Sequence, residues 1–352
     1  MISIEEKVMK EFTPGESVIV AMSGGVDSSV SAWAAKEAGC KVKGVTLRLF
    51  DSELPVWEDA ERVANKLGID WELADFRNWF GEDVISPYIA VYKRGHTPNP
   101  CSLCNRVGKT KYLFDMLQKA GASRIVTGHY ANIREHGDKK AIFRSSSDAK
   151  DQTYYLALMD PFHIQFMLYP LSGVEKTDIR TLASKLELPV ANKRDSYEAC
   201  FLKGEDYRDF LNRYVGDGKA GRFTLKGADL GGHKGVYNYT VGQRRGLDIS
   251  HSAPLYVKSI DTDTGEIALS EKDELFSRLV RMKDTVFLAE EPVIRLAHAK
   301  LRHKMVEAPC LLEIHQGKKA VLLFDTPQFA PAPGQVTAIY DGDRLMGGGV
   351  VY

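Results

Sequence analysis

Val18-Ile19-Val20-Ala21-Met22-Ser23-Gly24-Gly25-Val26-Asp27-Ser28-Ser29 decides the reading of this chain. A β-branched run leads into a Ser-Gly-Gly turn, and Val30 to Ala38 has the pattern of a helix. A strand delivered onto a glycine turn and a helix N-terminus builds an anion site. The first-turn N–H groups lack intrahelical partners, and the helix dipole adds partial positive charge. Gly24 and Gly25 let backbone N–H groups approach phosphate oxygens with no Cβ in the way. Ser23, Ser28 and Ser29 add hydroxyl donors, and Asp27 either holds a metal ion or caps the turn. The stretch lacks the lysine of Gly-x-x-x-x-Gly-Lys-Ser/Thr and the spacing of Gly-x-Gly-x-x-Gly. Neither a lysine-bearing phosphate loop nor a dinucleotide fingerprint is therefore the first reading.

Composition narrows the class. At 352 residues the chain exceeds one typical core, so two or three domains are expected. Apolar content of 44% and charged content of 27% describe an ordinary globular protein. No stretch has the apolar length of a membrane span, and the opening residues Met1 to Lys7 do not read as a signal peptide. Five cysteines form an odd set, which argues against a secreted disulfide framework and makes the cytoplasm the expected compartment. The 47 basic and 47 acidic side chains cancel, so any nucleic-acid site must be a local basic patch.

Outward from the opening stretch, strand and helix patterns alternate. Lys43 to Phe50 reads as a buried strand, and Glu58 to Leu67 as a helix with Ala60, Val63, Ala64 and Leu67 on one face, closed by Gly68. Trp71 to Asp75 is a third strand candidate. Helices over Val84 to Arg94 and Tyr112 to Ala120 stop at Gly95 and Gly121, and Arg124 to Tyr130 returns to strand. This alternation implies an α/β domain with a parallel sheet and helices on both faces, running to residue 205. Ligands of such sheets sit at the C-terminal strand edge, which groups the Ser-Gly-Gly turn, Leu47 and Gly128 around one pocket. After the helical pattern of Glu205 to Val215 the chain becomes glycine-rich with short strands. A small central domain is expected over residues 206–275 and a C-terminal β-barrel over residues 276–352.

A second informative stretch is Thr97-Pro98-Asn99-Pro100-Cys101-Ser102-Leu103-Cys104-Asn105. Two prolines fix a non-helical approach, and the cysteines open a helix over Asn105 to Gln118. Cysteine at a helix N-terminus is biased toward thiolate. A C-x-x-C pair in that position is a redox couple, half of a metal site or two buried small residues. Cys200 lies far downstream on the same expected domain, whereas Cys40 and Cys310 have no motif around them and read as structural.

Seven ordered motifs now carry a resemblance. SGGVDSS is similar to the PP-loop of the ATP pyrophosphatases, which cleave ATP between its α and β phosphates. With it occur Thr97-Pro98-Asn99-Pro100 before Cys104-Asn105, Thr127-Gly128-His129-Tyr130, Lys150-Asp151-Gln152-Thr153-Tyr154-Tyr155-Leu156, and Cys200-Phe201-Leu202. Tyr239-Thr240-x-Gly242-Gln243-Arg244-x-Gly246-Leu247 and Asp341-Gly342 followed by Gly347-Gly348-Gly349 complete the set. Together they resemble the tRNA-uridine 2-sulfurtransferases, the tRNA-specific 2-thiouridylases, over nearly the whole chain.

The resemblance implies a PP-loop domain, a small central domain and a β-barrel. It also implies ATP-dependent replacement of the C2 oxygen of the wobble uridine, position 34, by sulfur. Ala21, Met22, Ser23, Gly24, Gly25, Val26, Asp27, Ser28, Leu47 and Gly128 would bind ATP with Mg²⁺. Cys104 would be the nucleophile and Cys200 the persulfide carrier. Asn99, Pro100 and Cys101 would face the target base, while Lys150, Asp151, Gln152, Arg302 and His303 would touch tRNA. A sulfur donor, either a persulfide carrier protein or free sulfide, is implied as partner. A monomer or weak dimer is expected.

Two departures from the family pattern matter. Cys101 stands where the family has Asp, and Leu301-Arg302-His303-Lys304-Met305 replaces an Arg-Tyr-Arg-Gln-like stretch. The first leaves two sulfur chemistries open: a Cys104/Cys200 persulfide relay, or a 4Fe–4S cluster on Cys101, Cys104 and Cys200 with an open iron for external sulfide. Basic patches at Lys234, Arg244 and Arg245, and from Arg295 through His298, Lys300, Arg302, His303 and Lys304, fit a tRNA clamp. His129 reads as a residue that satisfies a backbone carbonyl. The competing functions are a PP-loop ligase or amidotransferase on a small metabolite, which leaves the thiols idle, and a non-catalytic RNA-binding relic.

Overall fold

The computed structural model describes residues 2–51, 57–146, 150–195, 199–202 and 204–352. The chain divides into two compact units. One comprises Met1–Asp83, Cys104–Tyr197 and Asp343–Met346; the other comprises Val84–Leu103, Glu198–Gly342 and Gly347–Tyr352.

The first unit is built on strands β1 (Ser17–Ala21), β2 (Lys41–Arg48), β3 (Asp70–Asp75), β4 (Arg124–Val126) and β7 (Met167–Leu168), in the order β3-β2-β1-β4-β7. Every neighbouring pair in it is parallel. Val18, Ile19 and Val20 are fully buried because both faces carry helices, so the central strand is continuously apolar. The helix Val26–Glu37 packs Val30, Ala34 and Ala35 into the core shared with Val20, Val126 and Leu182. The helix Trp57–Leu67 buries Ala60, Val63, Ala64 and Leu67, as its spacing predicts.

Strand β4 is shorter than the sequence suggests, ending at Val126 so that Thr127 to Tyr130 turns away from the sheet. An antiparallel hairpin, β5 (Asn132–His136) and β6 (Lys139–Phe143), was not legible beforehand. It meets β17 (Arg344–Val351) through the pair Arg344–Phe143.

The second unit gathers helices and two β systems. Strands β8 (Gly221–Leu225), β9 (Ala228–His233), β10 (Tyr256–Ile260) and β11 (Ile267–Ser270) form a sheet in the order β10-β11-β8-β9. Strands β12 (Phe276–Phe287), β13 (Ile294–Lys300), β14 (Ala308–His315), β15 (Lys319–Phe329) and β16 (Val336–Asp341) join β17 in the order β12-β15-β14-β13-β16-β17. The pairing of β12 with β17 closes them into a barrel, which removes both edges.

The boundary expected at residue 205 follows chain order, but the compact units do not. Aromatic packing is the reason. The helix Ser86–Tyr92 presents Tyr88 and Tyr92 to Phe201, Tyr207 and Phe210, with ring centroids 5.1 to 6.1 Å apart. The Thr97 N–H donates to the Pro333 carbonyl at 2.8 Å. No helix among the described residues is long and apolar enough to cross a membrane.

Candidate active site

The order β3-β2-β1-β4-β7 reverses direction between β1 and β4, and ligands of open parallel sheets bind at that switch point. The SGGVDSS loop leaves the end of β1, and Thr127-Gly128-His129 leaves the end of β4. The two meet closely: a Cβ at Gly128 would lie 2.9 Å from the Asp27 carbonyl carbon and the Ser28 nitrogen. Glycine is therefore required for the approach, a requirement invisible in the sequence.

The loop is tightly held. Gly24 takes a φ of 69° and Gly25 caps the helix Val26–Glu37 with no side-chain bond, so the first-turn N–H groups stay available to an anion. Ser28 Oγ accepts from the Ser23 N–H at 3.1 Å and donates to the Gly25 carbonyl at 3.2 Å, and Ser29 Oγ donates to the same carbonyl at 2.8 Å. These hydroxyls shape the turn as well as lining it. Thr46 Oγ1 donates to the Met22 carbonyl at 2.7 Å, fixing the loop to β2, where Leu47 sits half-buried one residue farther on.

Asp27 does not cap the turn, and its side chain is half-buried. Its carboxylate accepts from Lys176 Nζ at 2.6 and 2.7 Å and from the Tyr130 hydroxyl at 2.9 Å. Burial and the adjacent Asp27 charge push the Tyr130 phenol well up. Lys176 also pairs with Asp195 at 3.0 Å, and Asp195 holds Arg180 at 2.6 Å and Lys150 at 3.2 Å. Burial works against the Asp195 charge, but hydrogen bonds from Lys176 and Lys150 hold its carboxyl below the usual range. Lys193 Nζ donates to the Gly24 carbonyl at 2.9 Å and to Asp59 at 2.6 Å. Lys176, Lys193 and Asp195 escaped the sequence reading as site residues, because an isolated lysine or aspartate carries no spacing signal, and Tyr130 stood there only as a motif member.

His129 bonds the Thr127 hydroxyl, Nδ1 to Oγ1 2.7 Å, rather than a backbone carbonyl. It also packs edge-on to Tyr169 at 5.6 Å. Burial, with the Lys109 charge, pushes its imidazole down to about 3, so it is neutral.

The cysteine helix starts earlier than expected. It runs Pro100–Cys104, and Asn99 Oδ1 accepts from the Ser102 N–H at 3.0 Å as its cap. Pro100 at the first position fits that start. Cys101 lies in the first turn and is exposed, whereas Cys104 is half-buried and ends the segment. A π-helical stretch, Asn105–Lys109, follows Cys104, and the helix continues as Thr110–Ala120. Asn105 Nδ2 donates to the Tyr155 carbonyl at 3.1 Å, anchoring the π turn.

Cys101 and Cys200 belong to the second unit and Cys104 to the first. Cys200 is exposed, next to the buried Phe201 that packs edge-on against Tyr88. Burial, with the neighbouring Cys101 charge among the smaller causes, pushes the Tyr88 phenol up to about 12. Among the described residues no group of three or more His, Cys, Asp or Glu side chains is arranged to hold a metal ion.

Four of the residues expected at tRNA, Lys150, Asp151, Gln152 and Arg302, have internal partners. Lys150 pairs with Asp195, and Gln152 Oε1 accepts from the Tyr130 N–H at 3.1 Å. Asp151 is 8% exposed and accepts from the Ser145 N–H at 3.1 Å and the Thr153 hydroxyl at 2.6 Å, so it is a buried turn anchor and not a solvated loop charge. The Arg302 guanidinium donates to the carbonyls of Val241 at 3.2 Å and Ala330 at 2.7 Å, while His303 is half-buried. Arg295 is neutralised by Glu291 and Asp341, both at 2.7 Å, which thins the second basic patch. Arg244, Arg245 and Lys234 remain exposed.

Three family models match consecutive parts of the chain. They are described as a tRNA methyl transferase HUP domain over residues 16–204, a tRNA methyl transferase PRC-barrel domain over 208–271, and an aminomethyltransferase beta-barrel domain over 277–351. The tRNA-specific 2-thiouridylase MnmA of Syntrophotalea carbinolica is 39% identical, covering 97% of this chain and 99% of its own. That of Syntrophomonas wolfei is 36% identical, with 95% and 99% covered. Likeness to solved structures is slight: the U34-tRNA thiolase NcsA from Methanococcus maripaludis with its [4Fe-4S] cluster gives a TM-score of 0.38 at 18% identity, over 60% of this chain and 72% of that one. Matched along its whole length by 2-thiouridylases, this chain belongs to the tRNA-specific 2-thiouridylase family.

Proposed function

We propose that this protein thiolates C2 of the wobble uridine of tRNA at the expense of ATP, taking sulfur from a persulfide carrier protein in the cytoplasm. The observation that carries the reading is the anion site at the sheet's switch point, with Gly128 pressed on the SGGVDSS loop, in a chain of this family. Uracil O2 attacks the α-phosphorus of ATP, and pyrophosphate leaves with its charge met by loop N–H groups and Mg²⁺. Magnesium in such sites is held largely by the phosphates and its own waters, so few protein ligands are needed.

The adenylated C2 then accepts the terminal sulfur of a Cys200 persulfide, and AMP leaves. The Cys104 thiolate attacks the Cys200 sulfur, the persulfide S–S bond breaks, and its electron pair remains on the sulfur bonded to C2. The products are 2-thiouridine and a Cys104–Cys200 disulfide, which an external thiol reduces before the next turnover. No step of this scheme is routed through an iron–sulfur cluster.

Thiolation of tRNA, read by retardation on a mercury-containing gel, tests the scheme. Cys104→Ser and Cys200→Ser are expected to lower activity by at least about 10³-fold while Cys101→Ser retains most of it. The relay would be overturned by about four irons per chain in protein purified without oxygen, lost together with activity in Cys101→Ser.

A further inference from the structure

Every second side chain of a barrel strand points away from the core, and in water those outward positions are ordinarily polar. Four strands of this barrel break that rule at one level. Leu296 of β13 pairs with Leu311 of β14, Leu311 with Leu323 of β15, and Leu323 with Leu279 of β12. Directly opposed residues share a face, so the four leucines form one continuous row across the outside of the barrel. The core does not need them, because the intervening Val280, Ala297, Leu312, Leu322 and Phe324 fill it. Leu296 is 77% exposed, and Leu279, Leu311 and Leu323 are 38, 37 and 43% exposed. Scattered surface leucines are ordinary, whereas a contiguous row marks a contact surface.

The flanks of the row carry charge of both signs. Two residues along the strands in one direction lie Arg281, Val321, Glu313 and Ile294, opposed to one another in that order. Two residues in the other direction lie Asp325 on β15 and His298 on β13. Arg281, Glu313, Asp325 and His298 are all exposed, and Glu313 also touches His315 at 3.5 Å.

We propose that this face is the contact between two copies of the chain, related by a two-fold axis lying along the leucine row. Such an axis lays each leucine on its own image and turns the Arg281 side of one copy onto the Asp325 side of the other. Arg281 then falls about one strand spacing, ~4.8 Å, from the partner's Asp325, and Glu313 falls equally near the partner's His298. Both contacts occur twice, so the charges of the face complement themselves. The row offers RNA phosphates no cation. With Ile294, the leucines expose roughly 450 Å² of apolar surface per copy, a patch of the size that marks interaction sites. A dimer therefore buries about 900 Å² of it before the polar rim is counted, which is the scale of a weak, reversible interface.

Sedimentation velocity of the full-length protein over about 1 to 200 µM tests the proposal, with a monomer–dimer equilibrium of roughly 1–100 µM Kd expected. Leu296→Glu and Leu323→Glu each set two carboxylates face to face across the axis, and each should raise Kd at least about tenfold. Their thermal midpoints should stay within about 2 °C of the wild type, because the positions are on the surface. Arg281→Asp and Asp325→Arg should each weaken the dimer about 3- to 10-fold, and combining them should restore most of the loss.

A protein that stays monomeric over the whole range, a dimer whose Kd neither leucine variant moves, or charge variants without recovery on combination would each overturn the proposal. If Leu323→Glu does not fold, Leu296→Glu, at the most exposed position of the row, carries the test. A monomer that binds the persulfide carrier protein through this face, with that binding lost in Leu296→Glu, would also overturn it and assign the row to that partner.

Discussion

Gly128 shows how much of the site turns on one missing methyl group. A Cβ there would lie 2.9 Å from the backbone of Asp27 and Ser28, atoms that cannot move without dragging the loop and the start of its helix. Gly128→Ala is therefore expected to weaken ATP-analogue binding at least about tenfold and to cost about 1–3 kcal/mol of stability, from calorimetry and thermal melting on one preparation. Unchanged affinity would mean that the two loops are not locked together. The glycine stands out in Thr127-Gly128-His129-Tyr130 as a motif member, but its reason is a contact with residues about a hundred positions earlier. The same holds for Asp27. Its place in SGGVDSS is plain from the sequence, whereas its partners Tyr130, Lys176 and, beyond them, Asp195 arrive from three other segments.

At the scale of the element, the helix that carries Cys104 is unusual. Its second segment, Asn105–Lys109, is π-helical, and such segments are rare and need local support. Gly108 supplies part of it: a Cβ there would fall 1.6 Å from a ring carbon of Trp79, so the indole lies directly on the backbone. Trp79 is itself packed edge-on to Tyr112 at 5.0 Å. Gly108→Ala should destabilise the protein by about 3 kcal/mol, since neither backbone nor indole has room to yield. The double variant Trp79→Ala with Gly108→Ala should lose less than the sum of the two single changes, by about 0.5–3 kcal/mol in denaturant melts. Strict additivity would show that the ring does not set the π turn. Sequence reasoning marked a helix here from Asn105, five residues late, because Asn99-Pro100 reads equally well as loop or as cap and first position.

Across the whole molecule, buried histidines set the response to acid. Burial lowers the imidazoles of His129 (to about 3), His163 and His233 from the ordinary 6.5. The unfolded chain therefore binds protons first, and the stability present above pH 6.5 falls as the pH drops below it. A second loss follows below the ordinary carboxylate range. There Glu16, Asp59 and Asp195, each depressed by its cationic partners despite burial, take up protons and release Arg124, Lys193 and Lys176. The thermal midpoint should fall steadily from pH 7 to pH 4, and His129→Asn should flatten the first part of that fall. An equal slope in the variant would show that His129 titrates alike in both states.

The sequence by itself determined the α/β class, the strand–loop–helix unit of SGGVDSS and the glycine helix stops. All of these rest on neighbours within a turn or two, or on ordered short motifs, where spacing alone carries the information. Only the tertiary structure decided that Val84–Leu103 cluster with the second unit, through Tyr88 and Tyr92 on Phe201, Tyr207 and Phe210. It also decided that Arg295, Asp151 and Arg302 are held by internal partners and that Lys176 pairs with Asp27. The physical reason is common to these cases. A charge or a ring takes its role from what lies within a few ångströms, and those neighbours are brought by chain segments far away in sequence.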